Sequence, residues 1–273
     1  MFQSILEQTL IALPLILGAY ITLSLMKLPD FGIESAYLLG AVGAFIAQDL
    51  PLPVVFAAAL AGGAIVGLTV VFLNQCLKIP YLLASVVVNG FAHGSTLYIM
   101  KASVSRFALE GVGNEKLLVA GIALAMVVLV KILMRSEMGY AFAVHGNNPR
   151  FFANHRISRG FVMAVGVSCA HALAGLSGFL FALTSGVLDI TMNFGIVMLC
   201  LTALMIGKLC VRVRKPEILI PCIGIAGYFL MQQTLLRLGL DLTYFNVFQA
   251  FFILGMLLVK MRSTLTPLDH LGV

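Results

Sequence analysis

Nine stretches long and apolar enough to enter a lipid bilayer follow one another along the chain, and they leave few folds open. They lie at 9–26, 31–47, 54–73, 81–100, 117–134, 160–184, 195–210, 218–236 and 244–259, the second and seventh being short and glycine-containing. A spanning helix needs about 20 mostly apolar residues, because hydrocarbon offers no partner for a backbone N–H or C=O. The other spanning architecture, a β-barrel, requires segments of about ten residues that alternate apolar and polar, and no such alternation is present. The expected fold class is all-α: a polytopic transmembrane helical bundle of about 8–10 spans. Composition agrees, with 61% hydrophobic residues, 10% charged and a mean hydropathy of +1.06, where a soluble domain carries about a quarter charged. No stretch is polar enough for a separate module, so residues 1–273 read as a single transmembrane domain. The first stretch has neither a basic leader nor a small-residue cleavage site and is expected to be a retained span.

The formal net charge is +6, and where the charge sits matters more than its sum. With a cytoplasmic C-terminus, the inner connections hold Lys27, Lys78, Lys131, Arg135, Arg150, Arg156, Arg159, Lys208, Arg212, Arg214, Lys215, Lys260 and Arg262. The outer ones hold Lys101, Arg106, Lys116 and Arg237. Thirteen cations against four is the positive-inside bias of a plasma-membrane protein, which argues against nucleic acid as a partner. Nine spans place the N-terminus outside. The five cysteines (Cys76, Cys169, Cys200, Cys210 and Cys222) form no C-x-x-C pair and read as packing residues rather than disulfide partners or metal ligands.

Most connections are short, but 101–116 and 135–159 are not. The second is a cytoplasmic segment in mid-chain, and a long structured loop in a compact domain is usually functional. Within it, Asn148 followed by Pro149 is a helix-start signal: Asn caps free N–H groups, and Pro is preorganised for the first helical position. The short amphipathic helix expected from there presents Phe151 and Phe152 as an exposed aromatic knob, with Arg150, His155, Arg156 and Arg159 facing water, headgroups or an acidic partner. It reads either as a helix resting on the bilayer surface or as a docking helix for a cytoplasmic protein, since aromatics beside cations anchor many interfaces.

Catalytic motifs are missing. Gly207-Lys208 lacks the glycine-rich run of a phosphate loop, there is no H-E-x-x-H, and Gly175-Leu176-Ser177-Gly178 is not a nucleophile elbow. His93 and His171 have no acidic residue beside them within their spans, so no catalytic residue is expected. The fourth stretch instead carries Ser85, Asn89, His93 and Thr96 at spacings of four, four and three, which puts them on one helical face. Ser168 and His171 share a face with Gly175 and Gly178 in the sixth. These six polar residues read either as the lining of a solute pathway or as interhelical hydrogen bonds, with Gly63 and Gly67 marking close crossings. Asp30 and Glu34, one turn apart, suit a cationic group, a coupling proton or simply a helix N-terminus. Phe31-Gly32-Ile33 and Phe194-Gly195-Ile196 open the two short stretches. That echo fits an inverted repeat, which transporters often use, as well as it fits chance.

Some of these residues resemble a known family. The mid-chain loop, with Gly139, Gly146, Asn148, Pro149 and Ala153 followed by Ile157, resembles the cytoplasmic coupling segment of permeases in the branched-chain amino acid and ribose importer superfamily, the membrane subunits of ATP-binding-cassette (ABC) importers. Leu28-Pro29-Asp30-Phe31-Gly32-Ile33-Glu34 with Leu39-Gly40-Ala41 looks like the segment after the first span in that group. Together with Leu77-Lys78-Ile79-Pro80-Tyr81-Leu82-Leu83 it is similar to the tryptophan and tyrosine type permeases. The chain departs from the family at Ala143, often Arg there, and at Arg156, often Gly. The resemblance implies a type II importer-like fold, a second permease subunit as homodimer partner, cytoplasmic ABC ATPase subunits that bind the ATP, and an extracytoplasmic binding protein that delivers an amino acid or similar solute. The permease itself then holds no cofactor. Its contact with the ATPase is expected at Gly146, Asn148, Pro149, Arg150, Phe151 and Phe152. The rival readings are a self-contained ion-coupled secondary carrier, using Asp30, Glu34 or His93, and a non-transporting membrane scaffold.

Overall fold

Each apolar stretch folds as helix, and capping chemistry sets where many of them start and stop. The computed structural model describes residues 2–109, 114–148, 151–152, 158–211, 217–239 and 244–265. In chain order the elements are α1 (Phe2–Ala19), a π-helical segment (Tyr20–Leu25), α2 (Gly32–Ile46), α3 (Leu52–Cys76), α4 (Tyr81–Met100), β1 (Val104–Arg106), α5 (Glu115–Arg135) and α6 (Glu137–Asn147). They continue with α7 (Arg159–Ser185), β2 (Val187–Asp189), α8 (Ile196–Cys210), α9 (Leu219–Arg237) and α10 (Phe245–Leu265). Pro51 and Pro80 stand at the N-caps of α3 and α4, where a missing N–H costs nothing. Asn114, Ser136 and Ser158 accept a first-turn N–H with their side chains at the starts of α5, α6 and α7. Gly186, at φ 71°, ends α7 in the left-handed region.

Six of these helices are long and apolar enough to cross a bilayer: α1 with its π extension, α3, α4, α5, α7 and α9. α2 and α8 have 15 residues each, about 22 Å at 1.5 Å per residue, and fall short of the roughly 30 Å of hydrocarbon. α2 climbs from the cytoplasmic end and α8 descends from the outer end. The echoed Phe-Gly-Ile triplets therefore mark the starts of two short helices that point at one another.

α1 and α7 form the centre, and α5 lies at the periphery. The Ser177 hydroxyl donates to the Ile11 carbonyl at 2.7 Å, tying the central pair together. The crossing of α3 over α7 is closer still. A Cβ on Gly63 would overlap the His171 carbonyl oxygen, and one on Gly67 would come within 2.9 Å of the Ser168 Cα. Both glycines are crossing points, as their place in an apolar stretch suggests.

At its cytoplasmic end α1 widens into the π segment, closed by the Met26 N–H donating to the Ile21 carbonyl at 2.9 Å. Lys27 then turns in the left-handed region at φ 55°, which sends the chain back into the bundle. A feature not expected from the apolar pattern is a two-stranded antiparallel ribbon at the outer face, in which Val104 pairs with Asp189, Ser105 with Leu188 and Arg106 with Val187. It clasps the α4–α5 connection to the α7–α8 connection. Phe107 and Phe179 pack edge to face beneath it at 6.2 Å.

Candidate functional site

The re-entrant turn after Lys27 delivers Asp30 into the interior. Its side chain is fully enclosed, and Oδ2 lies 2.8 Å from Nε2 of an equally enclosed His171 on α7. Oδ1 accepts the Gly32 N–H at 3.0 Å, so the same carboxylate caps α2. Position 32 has room only for glycine, because a Cβ would sit 2.9 Å from the His171 ring. One turn on, Glu34 reaches the other short helix: its Oε1 accepts the Val197 N–H in the first turn of α8 at 3.2 Å. Asn89 and the Gly195 backbone are its further neighbours. A carboxylate is favourable at a helix N-terminus, where free N–H groups and the helix dipole point at it. α2 thus carries two acids, one gripping α7 and the other α8.

α4 closes this junction from the side. The Ser35 hydroxyl donates to Asn89 Oδ1 at 2.6 Å, the Phe31 N–H approaches Ser85 Oγ at 3.4 Å, and the His93 ring lies 6.0 Å from that of Phe194. Of the polar face expected on the fourth stretch, Ser85, Asn89 and His93 do meet the two short helices. Thr96 instead donates back to the Ala92 carbonyl within α4 at 2.9 Å. Ser168 lies against the α3 crossing, and its buried hydroxyl makes no hydrogen bond among the described residues. The expectation that no acid stands beside His171 fails, because Asp30 is distant in sequence and arrives through the re-entrant turn. Among the described residues His171 Nδ1 has no hydrogen-bond partner, so no nucleophile there completes a relay.

Above the junction a cavity of about 450 Å³ opens on the outer side between α1, α2, α7, α8 and α9. Ser4, Glu7 and Gln8 stand at its mouth, and Tyr37, Leu15 and Leu199 lie deeper. From Ser4 to Leu15 along α1 is about 16 Å. Tyr37 is three residues beyond Glu34, and Ile196 adjoins Val197, so the α2–α8 contact floors the cavity.

At the opposite end, α6 occupies the first half of the 135–159 segment, which the helix-start signal at Asn148-Pro149 does not foresee. Ser136 is the cue: its Oγ accepts the Gly139 N–H at 3.4 Å. Gly146 packs onto the π segment so closely that a Cβ would overlap the Leu25 carbonyl oxygen. Lys27 donates to Asn147 Oδ1 at 2.6 Å. Asn148 ends α6, donating its N–H to the Val144 carbonyl at 2.7 Å and accepting from the Phe151 N–H at 3.1 Å. Phe152 is 2% exposed, with its ring 6.1 Å from His145 and 6.0 Å from Phe151. The expected aromatic knob is therefore half right: Phe151 is partly exposed, whereas Phe152 anchors the segment inward because His145 offers it a buried aromatic face. Pro149, Arg150 and the helix expected to run on from them through 153–157 lie outside the described residues.

His145 also joins α6 to α7, accepting the Arg159 Nε–H on Nε2 at 3.3 Å. Burial, and after it the Arg159 guanidinium, hold its pKa below the ordinary histidine value, outweighing the Met26 carbonyl. A histidine with a lowered folded pKa binds its proton more readily when unfolded, so its contribution to stability fades as pH falls through and below about 6.5. Amide exchange in α6 should accelerate between pH 7.5 and 5.5 beyond the intrinsic rate change. That excess should vanish in His145→Gln.

The model of the family described as "Branched-chain amino acid transport system / permease component" matches residues 1–261. The chain belongs to that family. Two relatives of this permease agree in extent. "Uncharacterized protein RP368" of Rickettsia prowazekii (strain Madrid E) is 29% identical over 251 residues, covering 86% of this chain and 89% of that protein. The "Tyrosine transport system permease protein" of Clostridioides difficile (strain R20291) is 28% identical over 211 residues, 75% of this chain and 72% of the relative. No solved structure matches. The permease is thus a multi-pass plasma-membrane protein of an ABC-type amino acid transport family. Its cation-rich end, where α6 meets Lys27, is the cytoplasmic one by the positive-inside rule.

Proposed function

We propose that this chain is the membrane-spanning subunit of an ABC importer, carrying an amino acid or closely related solute inward under the drive of a separate ATPase subunit. An external binding protein and a second permease subunit complete the assembly. The joint between α6 and the π segment supports this reading. α6 lies outside the bundle at the cytoplasmic end, yet it touches the chain through Gly146 on Leu25 and through Asn147 on Lys27. Three residues beyond Lys27 stands Asp30, and from there α2 runs to the Glu34 contact with α8. A push on α6 is thereby delivered to the two short helices by a rigid, short route. The tyrosine in the name of the Clostridioides difficile relative fits a solute with an apolar body.

Co-purification with the cognate ABC ATPase tests the docking part. Phe151→Ala is expected to weaken ATPase capture several-fold while leaving the permease folded. Phe152→Ala should instead lower thermal stability, because its ring faces His145. Gly146→Leu is expected to spare ATPase capture but abolish coupled uptake by lifting α6 off the π segment. Undiminished uptake in Gly146→Leu together with undiminished capture in Phe151→Ala would remove the coupling role from α6.

A further inference from the structure

We infer that the outer cavity is a binding site for the ammonium group of a small amine with an apolar body, an amino acid with a large apolar side chain being the ligand that fits. The inference rests on the permease reading for that last step only. Two buried amide oxygens, Gln8 Oε1 on α1 and Gln232 Oε1 on α9, make no hydrogen bond among the described residues, and both residues line the cavity from opposite sides. Buried acceptors are normally satisfied, and each one left without a donor asks for an explanation. Beside Gln8 stands Glu7, whose Oε2 is held by Lys116 at 3.5 Å and whose other oxygen is left for a further donor. The hydroxyls offer little competition as donors, since Thr184 and Ser185 already donate to backbone carbonyls.

The cavity therefore has a rim rich in acceptors and carries one negative charge. An ammonium brings three N–H donors and a positive charge and no acceptor, which is the complement of that rim. Below the rim the walls turn apolar and aromatic, with Phe181, Phe229, Met192 and Leu199, so a ligand enters with its amine held at the mouth and its side chain pointing toward Tyr37. No cation among the lining residues is placed to bind a carboxylate, which leaves that group facing water. The site accordingly reads the amine and the side chain and ignores the acid.

Full-length permease in lipid nanodiscs, without binding protein, and radiolabelled L-phenylalanine supply the test. Saturable binding is expected, competed by L-leucine and by phenethylamine, which lacks the carboxylate, and left untouched by glycine, 3-phenylpropionate and D-ribose. Glu7→Gln and Gln232→Leu should each weaken binding about tenfold or more, the usual worth of a hydrogen bond to a charged group. Phe229→Ala should weaken it without altering the preference for phenethylamine over phenylpropionate. The inference is overturned by an absence of saturable binding to folded wild-type permease. It is equally overturned if phenylpropionate or ribose competes as well as phenethylamine. ATP-driven uptake by the full assembly separates the two layers. Uptake with no binding by the permease alone sinks the cavity site and leaves the importer reading standing; binding with ATP-independent uptake does the reverse.

Discussion

Replacing Asp30 with alanine is expected to cost the permease about 3–5 kcal/mol and most of its folded yield. The enclosed carboxylate has two hydrogen-bond partners: His171 Nε2 at 2.8 Å and the Gly32 N–H at 3.0 Å. Both groups would be left in an interior where an unsatisfied polar atom costs about 1–3 kcal/mol. His171→Ala should be nearly as damaging, since it leaves an enclosed carboxylate. The double mutant should cost clearly less than the sum of the two, with a coupling of about 1–3 kcal/mol, because neither survivor is then stranded. Thermal unfolding of the detergent-solubilised protein, followed by size exclusion, reads all three. Additive losses would mean that the pair does not hold α2 against α7.

The second large effect is steric. Gly63→Val places two methyl groups where even a Cβ overlaps the His171 carbonyl oxygen. The neighbour is helical backbone, which cannot turn aside as a side chain would. Overpacking costs about 1–3 kcal/mol in an ordinary core, and this site should lie at or beyond the top of that range. Gly90 on α4 provides the contrast: none of the described residues comes within 4 Å of where its Cβ would stand. Gly90→Ala should be neutral or stabilising by up to about 1 kcal/mol, the helix-propensity difference. If the two glycines tolerate substitution equally, α3 does not cross α7 at Gly63.

Hydropathy makes the spans legible, because a helix in lipid announces itself by length and apolarity, and both short helices stand out for the same reason. Local capping is readable too where the cue is a single residue, as at Pro51 and Pro80, although the louder signal at Asn148-Pro149 masks Ser136 and with it α6. What the sequence does not reveal is long-range pairing. Asp30 and Glu34 look like an ordinary acidic span end, since nothing local tells that one meets His171 and the other the first turn of α8. The polar face on α4 is recognisable as a set, yet helical spacing cannot say that Ser85, Asn89 and His93 face the junction while Thr96 bonds within its own helix. Phe152 shows the same limit: two adjacent phenylalanines in a polar segment look alike until His145 takes one of them inward. The outer cavity is invisible for a related reason, its polar rim being drawn from separate helices, with Glu7 and Gln8 on α1 and Gln232 on α9.

These contacts describe a short lever. α6 rests on the π segment, the re-entrant turn carries Asp30 to α7, and Glu34 on α2 holds the start of α8 beneath the outer cavity. The Glu34 contact is the one such a lever must release if solute is to leave the cavity inward. Uptake of radiolabelled amino acid into proteoliposomes holding the permease, its cognate ATPase and binding protein tests the account most directly. Uptake is predicted to require ATP and the ATPase and to persist when ionophores collapse the ion gradients. Uptake by the permease alone, driven by an ion gradient and indifferent to ATP, would contradict it.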